Sequence, residues 1–113
     1  MEEMMAIELP TVIASYFAAD ATESPERVAR CFTDTAIVTD EGKTHEGRGE
    51  IEAWKAAAST KYNYTVEPFA LVADAERFVV TSRLEGDFPG SPLNLRYIFA
   101  LKGEQIAALA IVP

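Results

Sequence analysis

Leu9, Val12, Ile13, Tyr16, Phe17 and Ala19 recur at steps of three and four residues, the spacing that lays apolar side chains along one side of an α-helix. A first helix is therefore expected from about Pro10 to Asp20, with Pro10 in the first turn, where a missing N–H breaks no helical hydrogen bond. Ser24-Pro25-Glu26 has the order of an N-cap, a first-turn proline and an acid matched to the helix dipole. It predicts a short second helix with Val28, Cys31 and Phe32 facing inward. Ala36 to Thr39 is β-branched in character and predicts a brief strand. Gly49 then opens a third helix that carries Ile51, Trp54, Lys55 and Ala58 along one side.

From Tyr62 onward the period changes from helical to two. Tyr62, Tyr64 and Val66 share a face until Pro68, which cannot donate to a strand ladder and marks a bulge or a sheet edge. Ala73 to Glu76 turns the chain, after which Phe78, Val80, Ser82 and Leu84 oppose Val79, Thr81, Arg83 and Glu85. Phe88 to Pro92 forms a rigid loop before the inward row Leu93, Leu95, Tyr97, Phe99 and Leu101, and Gly103 turns into Ile106 to Val112. Helices followed by antiparallel strands predict an α+β fold. Residues 1–113 form one domain in this reading: a curved antiparallel sheet of one short and four long strands, packed against three N-terminal helices.

Composition narrows the function. A chain of 113 residues with 49% hydrophobic content supports one core. With 18 acidic against 10 basic residues the net charge is −8, a field that repels phosphate backbones and anionic lipid headgroups. Neither nucleic acid nor a membrane surface is an expected partner. The start, MEEMMAIELP, has glutamates where a secretory signal has basic residues, and a cytoplasmic location is expected. Cys31 is the only cysteine, so it forms no internal disulfide and reads as a buried thiol on a helix. Asn63-Tyr64-Thr65 is a glycosylation sequon only for an exported chain.

The richest stretch in chemical groups is VTDEGKTHEGRGEIEAW, from Val38 to Trp54. Gly42 and Gly47 have the spacing of a phosphate loop, but Arg48-Gly49 stands where Lys and Ser or Thr must hold phosphates and magnesium. His45-Glu46 begins a zinc-helix pattern whose second histidine position is Gly49, and the chain has no other histidine. Asp40, Gly42 and Thr44 match calcium-loop intervals, but His45 occupies the required glycine position. No metal and no cofactor is expected. The glycines read as backbone punctuation between a strand and the third helix.

The order of elements, a strand ending in Asp40, the segment HEGRGEIEAW before the third helix, and the later FPGSPLNLRYIFAL together resemble the nuclear transport factor 2-like superfamily, and within it the small SnoaL-like domains. The resemblance covers essentially the whole chain and implies a cone whose interior is a ligand pocket. Members include ketosteroid isomerase, scytalone dehydratase, limonene epoxide hydrolase and polyketide cyclases, and also domains without catalytic activity. Compared with ketosteroid isomerase, Asp40 falls at the carboxylate base, Tyr16 at the phenolic oxyanion donor, and Tyr97 where that enzyme has a protonated aspartic acid. The late-sheet acid of SnoaL cyclases has no counterpart in IAALAIVP, and Arg83 lies on the polar strand face rather than in an epoxide-hydrolase set.

The resemblance thus implies a cofactor-free isomerase, cyclase or dehydratase acting on a hydrophobic carbonyl compound. Asp40 is its general base and Tyr16 and Tyr97 are its oxyanion donors, with Trp54, His45, Phe17, Phe88 and Phe99 as ligand-binding residues. The alternative is a non-catalytic module of the same fold that binds a small hydrophobic ligand or only dimerises. Read from the residues alone, Tyr16 is a core tyrosine, Asp40 a turn residue at a strand end, and Tyr62 and Tyr64 sheet-face residues. A homodimer is expected through the uncovered sheet face, which carries Val66, Val79, Thr81 and Ile98 in this reading. An open pocket bordered by Tyr16, Asp40, Trp54 and Tyr97 favours the enzyme; a cone filled by Phe17, Trp54 and Phe99 favours the module.

Overall fold

The computed structural model describes residues 8–22, 24–61 and 63–113, with the side chains of all of these except 59–61. The expectations for the first seven residues and for Tyr62 lie outside the described residues. The elements are α1 (Thr11–Ala21), α2 (Pro25–Arg30), β1 (Phe32–Asp40), β2 (Lys43–Glu46), α3 (Gly47–Lys61), β3 (Tyr64–Asp74), β4 (Arg77–Gly86), β5 (Leu93–Lys102) and β6 (Gln105–Val112). The strands form one sheet in the order β2-β1-β6-β5-β4-β3. The expected α+β architecture, with α1 and α2 ahead of a sheet on which the helices pack, is present.

Two features of the sheet differ from the sequence expectation. The brief strand expected at Ala36 to Thr39 begins at Phe32 and returns as a hairpin, with Asp40 paired to Lys43 and Ile37 to Glu46. Glu41 and Gly42 both have positive φ, 53° and 75°, the two-residue turn that matches strand twist. The segment KTHE is therefore strand rather than connector. The sheet is also mixed: β1 runs parallel to β6 while the other neighbours are antiparallel. The long path between β1 and β6 imposes no hairpin, so their relative direction is set by where the helices deliver β1.

The helix ends follow local chemistry. Pro10 is the N-cap of α1 rather than a first-turn residue. The Ser24 hydroxyl accepts from the Arg27 backbone N–H at 3.3 Å, with Pro25 in the first turn of α2. Cys31 caps the end of α2, its thiol donating to the Arg27 carbonyl at 3.5 Å, and burial pushes its pKa up. Phe32, expected to end this helix, instead starts β1. The third helix opens at Gly47 rather than Gly49, because Gly47 takes a φ of +83° and the Glu50 carboxylate accepts from the Glu46 N–H at 2.8 Å.

The core lies between the helices and one face of the sheet. Ile13, Tyr16, Val28, Phe32, Val38, Ile51, Val80, Phe99 and Ile106 are fully buried there, each large side chain contributing roughly 1.5–3 kcal/mol. Ladder register decides which strand residues join them. Val66 pairs with Leu84, which is buried, and packs against the core, so it belongs to the inner face rather than the outer one. The register shift between Pro68 and Ala70 bears out the expected bulge on the edge strand β3. On the outer face, Val72, Val79, Ile98 and Ala110 form one row across four strands. Ile37, Phe69 and Val72 are 42%, 48% and 60% exposed.

One close approach gives a stability prediction. A Cβ on Gly86 would sit 2.2 Å from the Asn63 carbonyl oxygen and 2.5 Å from the Tyr64 Cβ. Backbone on both sides of that contact must move, so Gly86→Ala is expected to cost about 1–3 kcal/mol, measured as a fall in the urea midpoint.

Candidate functional site

The alternation that builds the inner face also decides what lines its open end. Along β1, Ala36 and Val38 are fully buried, and the next residue on that face is Asp40, half-buried at the strand end. Along β5, Leu93, Leu95 and Tyr97 follow one another inward, with Phe99 buried beyond them. Helix α3 covers this surface with Trp54 and Lys55. The result is a cavity of about 750 Å³ bounded by Asp40 and the β1–β2 turn, His45, Trp54 and Lys55, Tyr64, Leu84, the Phe88-Pro89 loop, Leu93, Leu95, Tyr97 and the end of β6.

Three of the four residues expected at its border are there: Asp40, Trp54 and Tyr97. The Trp54 Nε1–H donates to Asp40 Oδ2 at 3.0 Å, which fixes the carboxylate and leaves Oδ1 without a hydrogen bond from the described residues. His45 lines the mouth, its ring 5.9 Å from that of Trp54. Phe88 lines the wall beside Tyr64, whose ring it meets edge to face at 6.2 Å. Tyr64 thus belongs to the cavity.

Tyr16, Phe17 and Phe99 do not line the cavity. They close its inner end as part of the core, with Tyr16 centred 5.1 Å from Phe17, 5.5 Å from Phe99 and 6.4 Å from Tyr97. The physical reason is volume, since four aromatic rings, packed mostly edge to face, fill that end and leave Tyr97 as the boundary. The interior is therefore half open and half packed. The Tyr16 hydroxyl is buried with no hydrogen-bond partner among the described residues.

Both phenols are held in the neutral form. Burial pushes Tyr16 well above its ordinary pKa, helped by the negative charge of Asp20 and by Tyr97. Tyr97 is raised by burial, then by Asp20, Tyr64 and Asp40. The folded state thus keeps protons that the unfolded chain releases above its ordinary tyrosine value of about 10. Their contribution to stability is complete below that value and is lost progressively above it, as pH rises toward the raised folded-state values. Urea midpoints should fall above about pH 10, and fall less in Tyr16→Phe.

Sequence reasoning assigned no role to a second pair. The Lys55 Nζ lies 2.7 Å from Asp20 Oδ1 at the end of α1, and the two side chains are only 5% and 9% exposed. The ammonium sits 4.6 Å from the Trp54 ring centroid and 5.8 Å from that of Tyr16. Two signals were present in the chain. A lysine within an apolar helix stripe needs a counter-charge, and an aspartate at a helix C-terminus is disfavoured by the dipole unless something holds it. Among the described residues, no group of three or more His, Cys, Asp and Glu is placed to hold a metal ion, and no helix is long and apolar enough to cross a membrane.

Comparison with known proteins agrees with this architecture. The model of the SnoaL-like domain matches residues 13–108. No curated protein is similar to the chain in sequence. Among solved structures, a provisionally assigned polyketide cyclase from Sinorhizobium meliloti is 36% identical, with a TM-score of 0.87 over 91% of this chain and 94% of that one. A protein of ketosteroid isomerase-like fold from Catenulispora acidiphila, in complex with trimethylamine, is 19% identical, with a TM-score of 0.82 over 94% and 87%. A cystatin-fold protein from Novosphingobium aromaticivorans is 14% identical, with a TM-score of 0.78 over 96% and 100%. The last two share the fold alone.

Proposed function

The chain belongs to the SnoaL-like family within the nuclear transport factor 2-like superfamily, and on that premise we propose that it is a cofactor-free enzyme of the isomerase, cyclase or dehydratase type acting on a hydrophobic carbonyl compound. The observation that carries this reading is a carboxylate, Asp40, oriented by the Trp54 indole at 3.0 Å on the edge of a largely apolar cavity. Its Oδ1 takes the α-proton; the C–H electron pair moves into the carbonyl and leaves an enolate. Tyr97, neutral on the wall of the same cavity, donates its O–H to the enolate oxygen. Return of the proton to a different carbon isomerises the substrate, and attack by the enolate carbon on a second carbonyl closes a ring. The likeness to a provisionally assigned polyketide cyclase supports this class of reaction.

The test is deuterium exchange at the α-carbon of a panel of aromatic and polycyclic ketones, followed by NMR. Exchange above the buffer rate is expected. A panel with none overturns the enzyme reading and leaves the binding module in its place.

The exposed outer face favours a second feature, a two-fold homodimer through the sheet. Ile37 and Val72, at 42% and 60% exposure, flank the partly covered Val79 and Ile98, and a continuous apolar surface of this kind is stabilised by a second copy. Light scattering is expected to give twice the chain mass at micromolar concentration. A monomer under those conditions sinks the assignment.

A further inference from the structure

We propose that Lys55 is a catalytic residue of this cavity: its ammonium receives the oxyanion of the enolised substrate, and Asp20 positions it. The proposal rests on the reading of the cavity as a site for carbonyl compounds. Lys55 lines the cavity wall, and its side chain is 95% covered, with Asp20 Oδ1 as its one hydrogen-bond acceptor among the described residues. An ammonium has three donors. The remaining two have no oxygen or nitrogen acceptor among the described residues, so on the cavity side they are free to take one from a bound molecule.

Stability does not account for this arrangement. A buried ion pair rarely outperforms an apolar pair of similar size, because desolvation offsets the attraction. Ile51, Trp54 and Ala58 show what the other positions of the same helix face carry. A substrate oxygen bearing developing negative charge would supply the missing acceptor, and a charged donor is about twice as strong as a neutral one. The Trp54 and Tyr16 rings at 4.6 and 5.8 Å hold the ammonium laterally. Trp54 also orients Asp40, so one residue links base and cation. The titratable groups on the cavity lining that bear on the charge of a bound anion are Asp40, Glu41, Lys43, His45, Lys55, Tyr64 and Tyr97, with Asp20 and Tyr16 behind Lys55.

The experiment uses 4-nitrophenol as an enolate mimic, since its ionised form absorbs at its own wavelength. The background is Asp40→Asn, which gives the cavity the charge it has after the proton is taken. Bound nitrophenol should be ionised at least about tenfold more than free nitrophenol at the same pH, the effect of a nearby opposite charge. Adding Asp20→Asn frees the ammonium and should raise that preference further. Adding both Asp20→Asn and Lys55→Met, a neutral replacement of the pair whose folding is checked by circular dichroism, should abolish it. A merely structural pair would move both variants in one direction. Binding with ionisation indifferent to Lys55 overturns the assignment, while ketone exchange by the parent protein keeps the carbonyl-site reading alive. A probe that does not bind also overturns it, and if the ketone panel shows no exchange either, both readings fall.

Discussion

Asp40→Asn is expected to lower α-proton exchange by about a hundredfold or more, the usual scale for losing a general base. The substitution is close to isosteric, and the asparagine carbonyl can still accept the Trp54 indole N–H that Asp40 accepts at 3.0 Å. The side chain therefore keeps its place and loses only its basicity. Circular dichroism and the urea midpoint should match the parent within error, which separates chemistry from folding. The two tyrosines should divide. Tyr97→Phe, on the cavity wall, removes a donor from the oxyanion and should lower the turnover number. Tyr16→Phe removes a hydroxyl that is buried without a partner among the described residues and should leave the rate nearly unchanged while holding or raising stability. Equal rates for Asp40→Asn and the parent would end the general-base assignment.

Lys55→Met should be the most destabilising single change at the site, at about 3–5 kcal/mol, because it leaves the Asp20 carboxylate charged and unpartnered in the interior. The pair is 2.7 Å apart with side chains only 5% and 9% exposed, so solvent cannot replace the lost partner. A loss of this size is a large fraction of the stability of a small domain. The double variant Asp20→Asn/Lys55→Met should recover most of it, since methionine fills the lysine stem's volume and the amide carries no charge. A double-mutant cycle in urea measures the coupling. A cost below about 1 kcal/mol, the range of exposed pairs, would show that the two charges are not held as a buried pair.

The β1 pattern shows how far local information reaches. Ala36, Val38 and Asp40 alternate toward the core, so the placement of a carboxylate at the end of a buried row was already legible from strand period. The same holds for Trp54 and Lys55 on the inward side of α3, for the Ser24 cap of α2 and for the bulge after Pro68. These features depend on backbone geometry and on neighbours within a turn or a strand pair. The β2 hairpin was locally encoded too, in the Glu41-Gly42 turn, but a four-residue strand with one half-buried side chain carries too little alternation to stand out.

The rest required the assembled fold. The parallel pairing of β1 with β6 joins segments from opposite ends of the chain, and no periodicity in either one specifies its partner. Leu95, Tyr97 and Phe99 belong to a single inward row in sequence. Only the volume taken up by Tyr16 and Phe17 from α1 decides that Tyr97 borders open space and Phe99 does not. Asp20 and Lys55 are each anomalous within their own helix, but they become a pair through the packing that brings the end of α1 against α3. The amino-acid sequence by itself determined the elements and the face each residue takes, because those follow from periods of two and 3.6 residues acting over short range. The tertiary structure alone decided which of the inward residues meet a cavity and which charges meet each other, because those outcomes depend on volumes and distances summed over segments far apart in the chain.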